Sequence, residues 1–178
     1  MLFRSGQRII NATAAQNRWP LVLADVGCAF LRGLTFQELA DLEGTPVRQV
    51  CMELPKCSVP LLKMLDGYKD FSSVLETLEM LRPGFGLKDA PYAWGRRLDA
   101  HMRTMQKMYP IHADKKLYVD HSAEQPRRLR KMSSSHIDDI KATGGEDTLQ
   151  RMLQLLKEAF GDLKVQWFVF ECCGEHHW

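Results

Sequence analysis

The chain has 178 residues, 45% of them hydrophobic and 26% charged, which is enough to bury one sizeable core and hardly enough for two. A formal net charge of +2 excludes any argument for a nucleic-acid partner from bulk charge, so such a partner has to be read from local clustering. An odd cysteine count with Cys172 and Cys173 adjacent does not fit a secreted disulfide framework, and the most apolar early stretch, 9–31, is broken by Asn11, Gln16, Asn17, Arg18 and Asp25, so neither a membrane span nor a signal peptide is expected.

In chain order, the first expected element is a strand at 21–25, followed by a strand at 47–54. Residues 72–82 suit a helix and a strand equally and are left unassigned. A helix is expected from an Asp89 N-cap to about residue 108. Pro91 sits in its first turn, and Ala90, Trp94, Leu98, Met102 and Met105 form its apolar stripe. Strands follow at 117–120, 129–136 and 140–143. The basic run Arg127-Arg-Leu-Arg-Lys131 reads as a solvated loop. The second helix, 146–160, has acidic residues in its first turn, an apolar stripe of Leu149, Met152, Leu153, Leu156 and Phe160, and Gly161 as its stop. A last strand is expected at 163–170. Short strands between two such helices indicate a mixed α and β domain.

Two features carry chemistry. Ser134-Ser-His-Ile-Asp-Asp-Ile-Lys-Ala-Thr-Gly144 places Asp138 and Asp139 between two extended runs, as at the tip of a tight hairpin. An acidic pair at a turn is ordinarily just solvated. Upstream, however, Asp25 ends an apolar strand, where a lone carboxylate is costly unless it meets a cation or water. A strand-end Asp with an Asp-Asp hairpin is the arrangement by which polynucleotide polymerase palms hold two Mg²⁺ ions, roughly 3.5 to 4 Å apart, across an in-line phosphoryl transfer.

Several blocks then occur in the order found in copia-type (Pseudoviridae) retrotransposon reverse transcriptases. Asp25-Val-Gly-Cys-Ala-Phe-Leu-Arg-Gly33 resembles the first catalytic block, and Val50-Cys-Met-Glu-Leu-Pro55 the strand after it. Gly84-Phe-Gly-Leu-Lys-Asp-Ala-Pro-Tyr-Ala-Trp94 with Leu98-Asp99 is similar to the block that opens the long palm helix. Leu117-Tyr-Val119 matches a following short strand, and His136-Ile-Asp-Asp139 falls where the family carries its Tyr-Val-Asp-Asp hairpin. The resemblance spans about residues 8–174.

The resemblance implies an α+β fold with an antiparallel palm-like sheet, ferredoxin-like or RRM-like, backed by two main helices. It implies RNA-directed DNA polymerase activity as part of the Pol polyprotein of a transposable element. The partners would be a primed RNA or DNA template and deoxynucleoside triphosphates, the cofactor two Mg²⁺ ions with Mn²⁺ as a substitute, and the location a cytoplasmic virus-like particle or the nucleus. Asp25, Asp138 and Asp139 match the catalytic, metal-binding triad. Val26 would lend a backbone carbonyl, Phe30 would exclude a ribose 2′-hydroxyl, Lys88 would contact a phosphate, and His136 would lie beside the primer end.

The chain departs from the family at His136, which replaces Tyr, and in the polar strand leading to it, Lys131-Met-Ser-Ser-Ser135, which is expected to pack poorly. Only 24 residues precede Asp25, where the family has a long fingers region. Residues 1–178 are therefore expected to form a partial domain, a truncated palm with part of the fingers, lacking thumb and RNase H. The corresponding expectation is a degenerate copy, with a catalytically silent nucleic-acid-binding remnant as the alternative. Cys172, Cys173, His176 and His177 lack a CxxC pair and are not read as a zinc site.

Overall fold

The computed structural model describes residues 2–168, 170–172 and 175–177. In chain order its main elements are α1 (Leu2–Asn17), β1 (Leu21–Val26), α2 (Phe36–Glu43), β2 (Cys51–Met52), α3 (Val59–Lys63), β3 (Leu78–Glu79), α4 (Ala90–Thr104), β4 (Tyr109–Pro110), β5 (Leu117–His121), β6 (Leu129–His136), β7 (Asp139–Gly144), α5 (Glu146–Phe160), β8 (Leu163–Trp167), β9 (Phe170–Cys172) and β10 (Glu175–His177). Six strands form one sheet in the order β4-β5-β6-β7-β1-β8, and every neighbouring pair is antiparallel. This is an α+β arrangement built on an antiparallel sheet.

Alternation along the strands separates two faces. Val22, Ala24 and Val26 of β1 and Ile140 and Ala142 of β7 point to one side, where Trp94, Leu98 and Met102 of α4 and Leu149, Met152, Leu156 and Phe160 of α5 cover them. The two expected helices thus back the same face. Across the sheet, Ile10 of α1 packs on Leu117 and Met132. Among the described residues no helix is long and apolar enough to cross a membrane.

Helix α5 has the predicted bounds, and Gly161 ends it at a φ of 80°, which a residue with a Cβ adopts only with strain. Helix α4 ends earlier than expected. Lys107 takes a left-handed φ of 54°, and the N–H groups of Gln106 and Met108 turn back to the carbonyls of His101 and Met102. Met105 therefore leaves the apolar stripe and is 55% exposed. Asp89 precedes α4 without capping it through its side chain, which is paired with Arg48 instead.

Helices α1, α2 and α3 have no counterpart in the sequence expectations. Helix α1 buries Gln7, Ile10 and Ala14 at helical spacing. Helix α2 carries a full capping box, in which Thr35 Oγ1 accepts from the Glu38 N–H and the Glu38 carboxylate accepts from the Thr35 N–H.

The strand expected at 47–54 shrinks to the two residues of β2, paired with β3 outside the main sheet. Its residues find no apolar cover, and Met52 stays exposed. Within 72–82 only Leu78 and Glu79 pair, while Val74, Leu75 and Leu81 face solvent. The expected strand 163–170 breaks at Phe168, whose φ is 65°. The side chains of Cys172, Cys173, His176 and His177 lie outside the described residues.

Candidate metal-binding carboxylate site

The apolar alternation of β1 carries Asp25 to the end of the strand, and the register sets it directly opposite Asp139, the first residue of β7. The β6–β7 hairpin closes with only Ile137 and Asp138 between the paired residues His136 and Asp139. The Val26 N–H donates to the Asp138 carbonyl at 3.1 Å, which ties the hairpin tip to the end of β1. On the other flank, Asp25 pairs with Lys164 of β8. Directly opposed residues share a face, so His136, Asp139, Asp25 and Lys164 form one row across four strands, on the face turned away from α4 and α5.

Helix α4 holds this end of the sheet from behind. The buried indole N–H of Trp94 donates to the carbonyl of Ile137 at the hairpin tip. Ile137 itself has a φ of 52°, a conformation that is costly for a β-branched side chain and that persists only where the surroundings enforce it. Past Asp25 the chain comes close to the same helix. A Cβ on Gly33 would stand 2.9 Å from the Trp94 backbone nitrogen and 3.1 Å from the Ala93 carbonyl carbon, so only glycine fits there.

The electrostatics follow from the row. The Asp139 carboxyl is held above its ordinary range, chiefly by burial and then by the charges of Asp138 and Asp25, with His136 acting in the opposite sense. Lys164 Nζ lies 3.7 Å from Asp25 Oδ2 and is largely exposed, so this pair is screened by solvent.

Hard carboxylate oxygens gathered at one sheet end are the donor set a divalent oxygen-seeking cation relieves. Among the described residues no group of three or more His, Cys, Asp or Glu side chains is gathered tightly enough to hold an ion by itself. Magnesium commonly takes one or two protein carboxylates and fills its shell with water and phosphate, and the Asp25–Asp139 pair with Asp138 beside it suits that mode.

The remaining expected residues fall around this row in different ways. His136 is in the row and exposed. Val26 is buried, with its N–H spent on Asp138. Phe30, half-buried in a short 3₁₀ turn, packs on the main core and edge-on against Phe85, with ring centroids 4.9 Å apart. Lys88 is exposed and lines a cavity of about 350 Å³ with Phe36, Arg48 and Tyr92, a lining that includes none of Asp25, Asp138 and Asp139. Lys164 escaped sequence reasoning, because its place depends on the β1–β8 register, which leaves no local signal.

The polar strand leading into the hairpin is buried as β6. Ser133 and Ser134 are fully buried, Ser135 is 4% exposed, and none of the three hydroxyls has a hydrogen-bond partner among the described residues. Each such group carries a desolvation cost of about 1–3 kcal/mol, so the strand that positions Asp138 is weakly held by its side chains. No protein-family model, no curated protein and no solved structure matches this chain.

Proposed function

We propose that the chain is a palm-centred piece of a copia-type reverse transcriptase, an RNA-directed DNA polymerase in which Asp25, Asp138 and Asp139 hold the catalytic magnesium ions. The observation that carries this reading is the register pairing of Asp25 with Asp139, with Asp138 at the adjoining tip. Residues separated by more than a hundred positions meet at one sheet end, in the order the family blocks imply.

When bound, two Mg²⁺ ions would lower the pKa of a primer 3′-hydroxyl and neutralise charge developing on the leaving pyrophosphate. The chain's own groups do the positioning. Asp25 and Asp139 present their carboxylates side by side from adjacent strands, and Trp94 fixes the hairpin that bears Asp138. His136 flanks Asp139 at the place where a primer end would lie. Phe30, half-buried after β1, offers a ring edge against which a ribose 2′-hydroxyl would clash, and such exclusion works by repelling the wrong substrate.

A second reading, a catalytically silent nucleic-acid-binding remnant, is favoured by the three unpartnered hydroxyls of β6. A loosened hairpin misplaces Asp138, and phosphoryl transfer depends almost entirely on positioning and electrostatics.

The two readings separate in a primer-extension assay with Mg²⁺ or Mn²⁺ that compares the chain with its Asp138→Asn, Asp139→Asn variant. Extension by the parent that vanishes in the variant supports the polymerase. In parallel, millimolar Mg²⁺ should raise the melting temperature of the parent and leave that of an Asp25→Asn, Asp139→Asn variant unmoved. A shift of equal size in both would remove these carboxylates as ligands.

A further inference from the structure

A second concentration of charge lies at the opposite end of β6. The run 127–131, expected to be a solvated loop, enters the strand at Leu129, and Lys131 is only 6% exposed. The end of α4 with the turn after it, the first turns of α5 and the β5–β6 pair border an open cavity of about 720 Å³, large enough for a nucleotide-sized group. Its walls carry Lys107, Arg130, Lys131 and Arg151 against two carboxylates, Asp120 and Asp147.

Arg130 reaches the Asp120 carboxylate at 3.8 Å. The buried Lys131 ammonium has three hydrogens to donate, yet its hydrogen-bond partner among the described residues is Gln106 Oε1, at 3.3 Å. Burial accordingly pushes the Lys131 pKa down. The Asp120 charge offsets part of that cost, and an anion entering the cavity would offset more of it. Beside this cavity lies another of about 520 Å³, which shares Lys107, Asp120 and Arg130 and adds Arg127 and the exposed ring of Tyr109.

We propose that these adjoining cavities form one basic furrow that binds the phosphate backbone of single-stranded nucleic acid. Cations spread along a furrow track successive phosphates, whereas a single compact anion would call for them to converge. The arginines suit phosphate because the guanidinium fork bonds two oxygens at once. Tyr109 supplies a face on which a base stacks whatever its identity. The furrow uses none of the carboxylates of the proposed metal site, so it stands or falls separately from the polymerase reading.

The test measures anisotropy of a short fluorescein-labelled oligothymidylate titrated with the full chain at several salt concentrations. A Lys107→Gln, Arg130→Gln, Arg151→Gln variant, whose three changes lie at exposed positions, should bind at least about tenfold more weakly. The slope of log affinity against log salt should fall by about two. The Lys107→Arg, Arg130→Lys, Arg151→Lys variant should keep most of the affinity, and Lys69→Gln, an exposed change that lines neither cavity, should leave it unchanged. Equal binding by parent and Gln variant overturns the proposal, as does absence of binding by the parent. Protection of the parent against thermal unfolding by tripolyphosphate, without oligonucleotide affinity, would reassign the furrow to a small anion and overturn it too.

Discussion

The two halves of the main core are held in different ways. Beside β1 and β7 the layer between sheet and helices is aliphatic and aromatic, with Val22, Ala24, Ile140 and Ala142 under Trp94, Leu149 and Phe160. The Trp94 and Phe160 rings meet edge to face, with centroids 5.0 Å apart. Beside β6 the same layer holds Lys131, Ser133 and Ser135, with His101 and Gln106 above them. Gln106 spends its whole amide there. Its nitrogen donates to the Met152 carbonyl at 2.9 Å and lies 3.2 Å from His101 Nε2, while its oxygen receives Lys131. An amide nitrogen only donates, so His101 Nε2 must be the accepting atom of a neutral ring. Main-chain pairing runs through both halves, unbroken along β1 and β7 and with one register shift, at Asp120 and His121, between β5 and β6. Side chains decide how firmly each is held.

Truncating the apolar half should give the largest effect. Trp94→Ala removes a buried ring and the bond to Ile137, and should cost about 3–5 kcal/mol in urea unfolding. Trp94→Phe, which keeps most of the packing and loses the bond, should cost about 1 kcal/mol and speed amide exchange at the hairpin tip. If the two variants lost equal stability, packing would not be what holds this half.

Acid should test the polar half. Burial, aided by Arg97 and Lys131, pushes the His101 pKa down to about 4. The folded protein thus resists a proton that the unfolded chain accepts near pH 6.5. Stability from this group is fully present above pH 6.5 and is lost progressively as pH falls toward 4. A His101→Gln variant should show a flatter profile between pH 6.5 and 5, above the range where carboxylates titrate. An unchanged slope would mean that His101 is not neutral in the fold.

The smallest change carries the opposite sign. Ser133→Ala and Ser135→Ala each delete a buried hydroxyl without a partner and should stabilise the protein by about 1 kcal/mol apiece. Under the polymerase reading they should also raise primer extension by tightening the Asp138 hairpin. A loss of stability in both would place the hydroxyls in a network of real value.

Sequence periodicity revealed the elements whose burial is strongest. The stripe from Leu149 to Phe160 gave α5, and the β-branched and aromatic runs gave β1 and β5. Strand β6 was legible from its length and its turn signals despite its serines, and its poor side-chain satisfaction was expected from them. Helix α2 announced itself through Thr35 and Glu38 and was overlooked, because its apolar stripe is short. Residues 47–54 looked like a strand by composition, but strand pairing needs a partner edge, and theirs offers two residues. At the candidate site the acidic pair was visible as a turn. That Asp25 would stand across from Asp139 is a matter of register between distant segments, which no local pattern encodes.

Both carriers of acidic residues hang from one turn of α4. Trp94 grips the hairpin at Ile137, and the Ala93 carbonyl receives the Leu34 N–H from the segment that follows Asp25, beside the close approach at Gly33. The spacing of Asp25 and Asp139 is set by their own pairing across β1 and β7, and α4 is the common bracket on which both are mounted. A tilt or slide of that helix would be expected to move the acidic group as one piece.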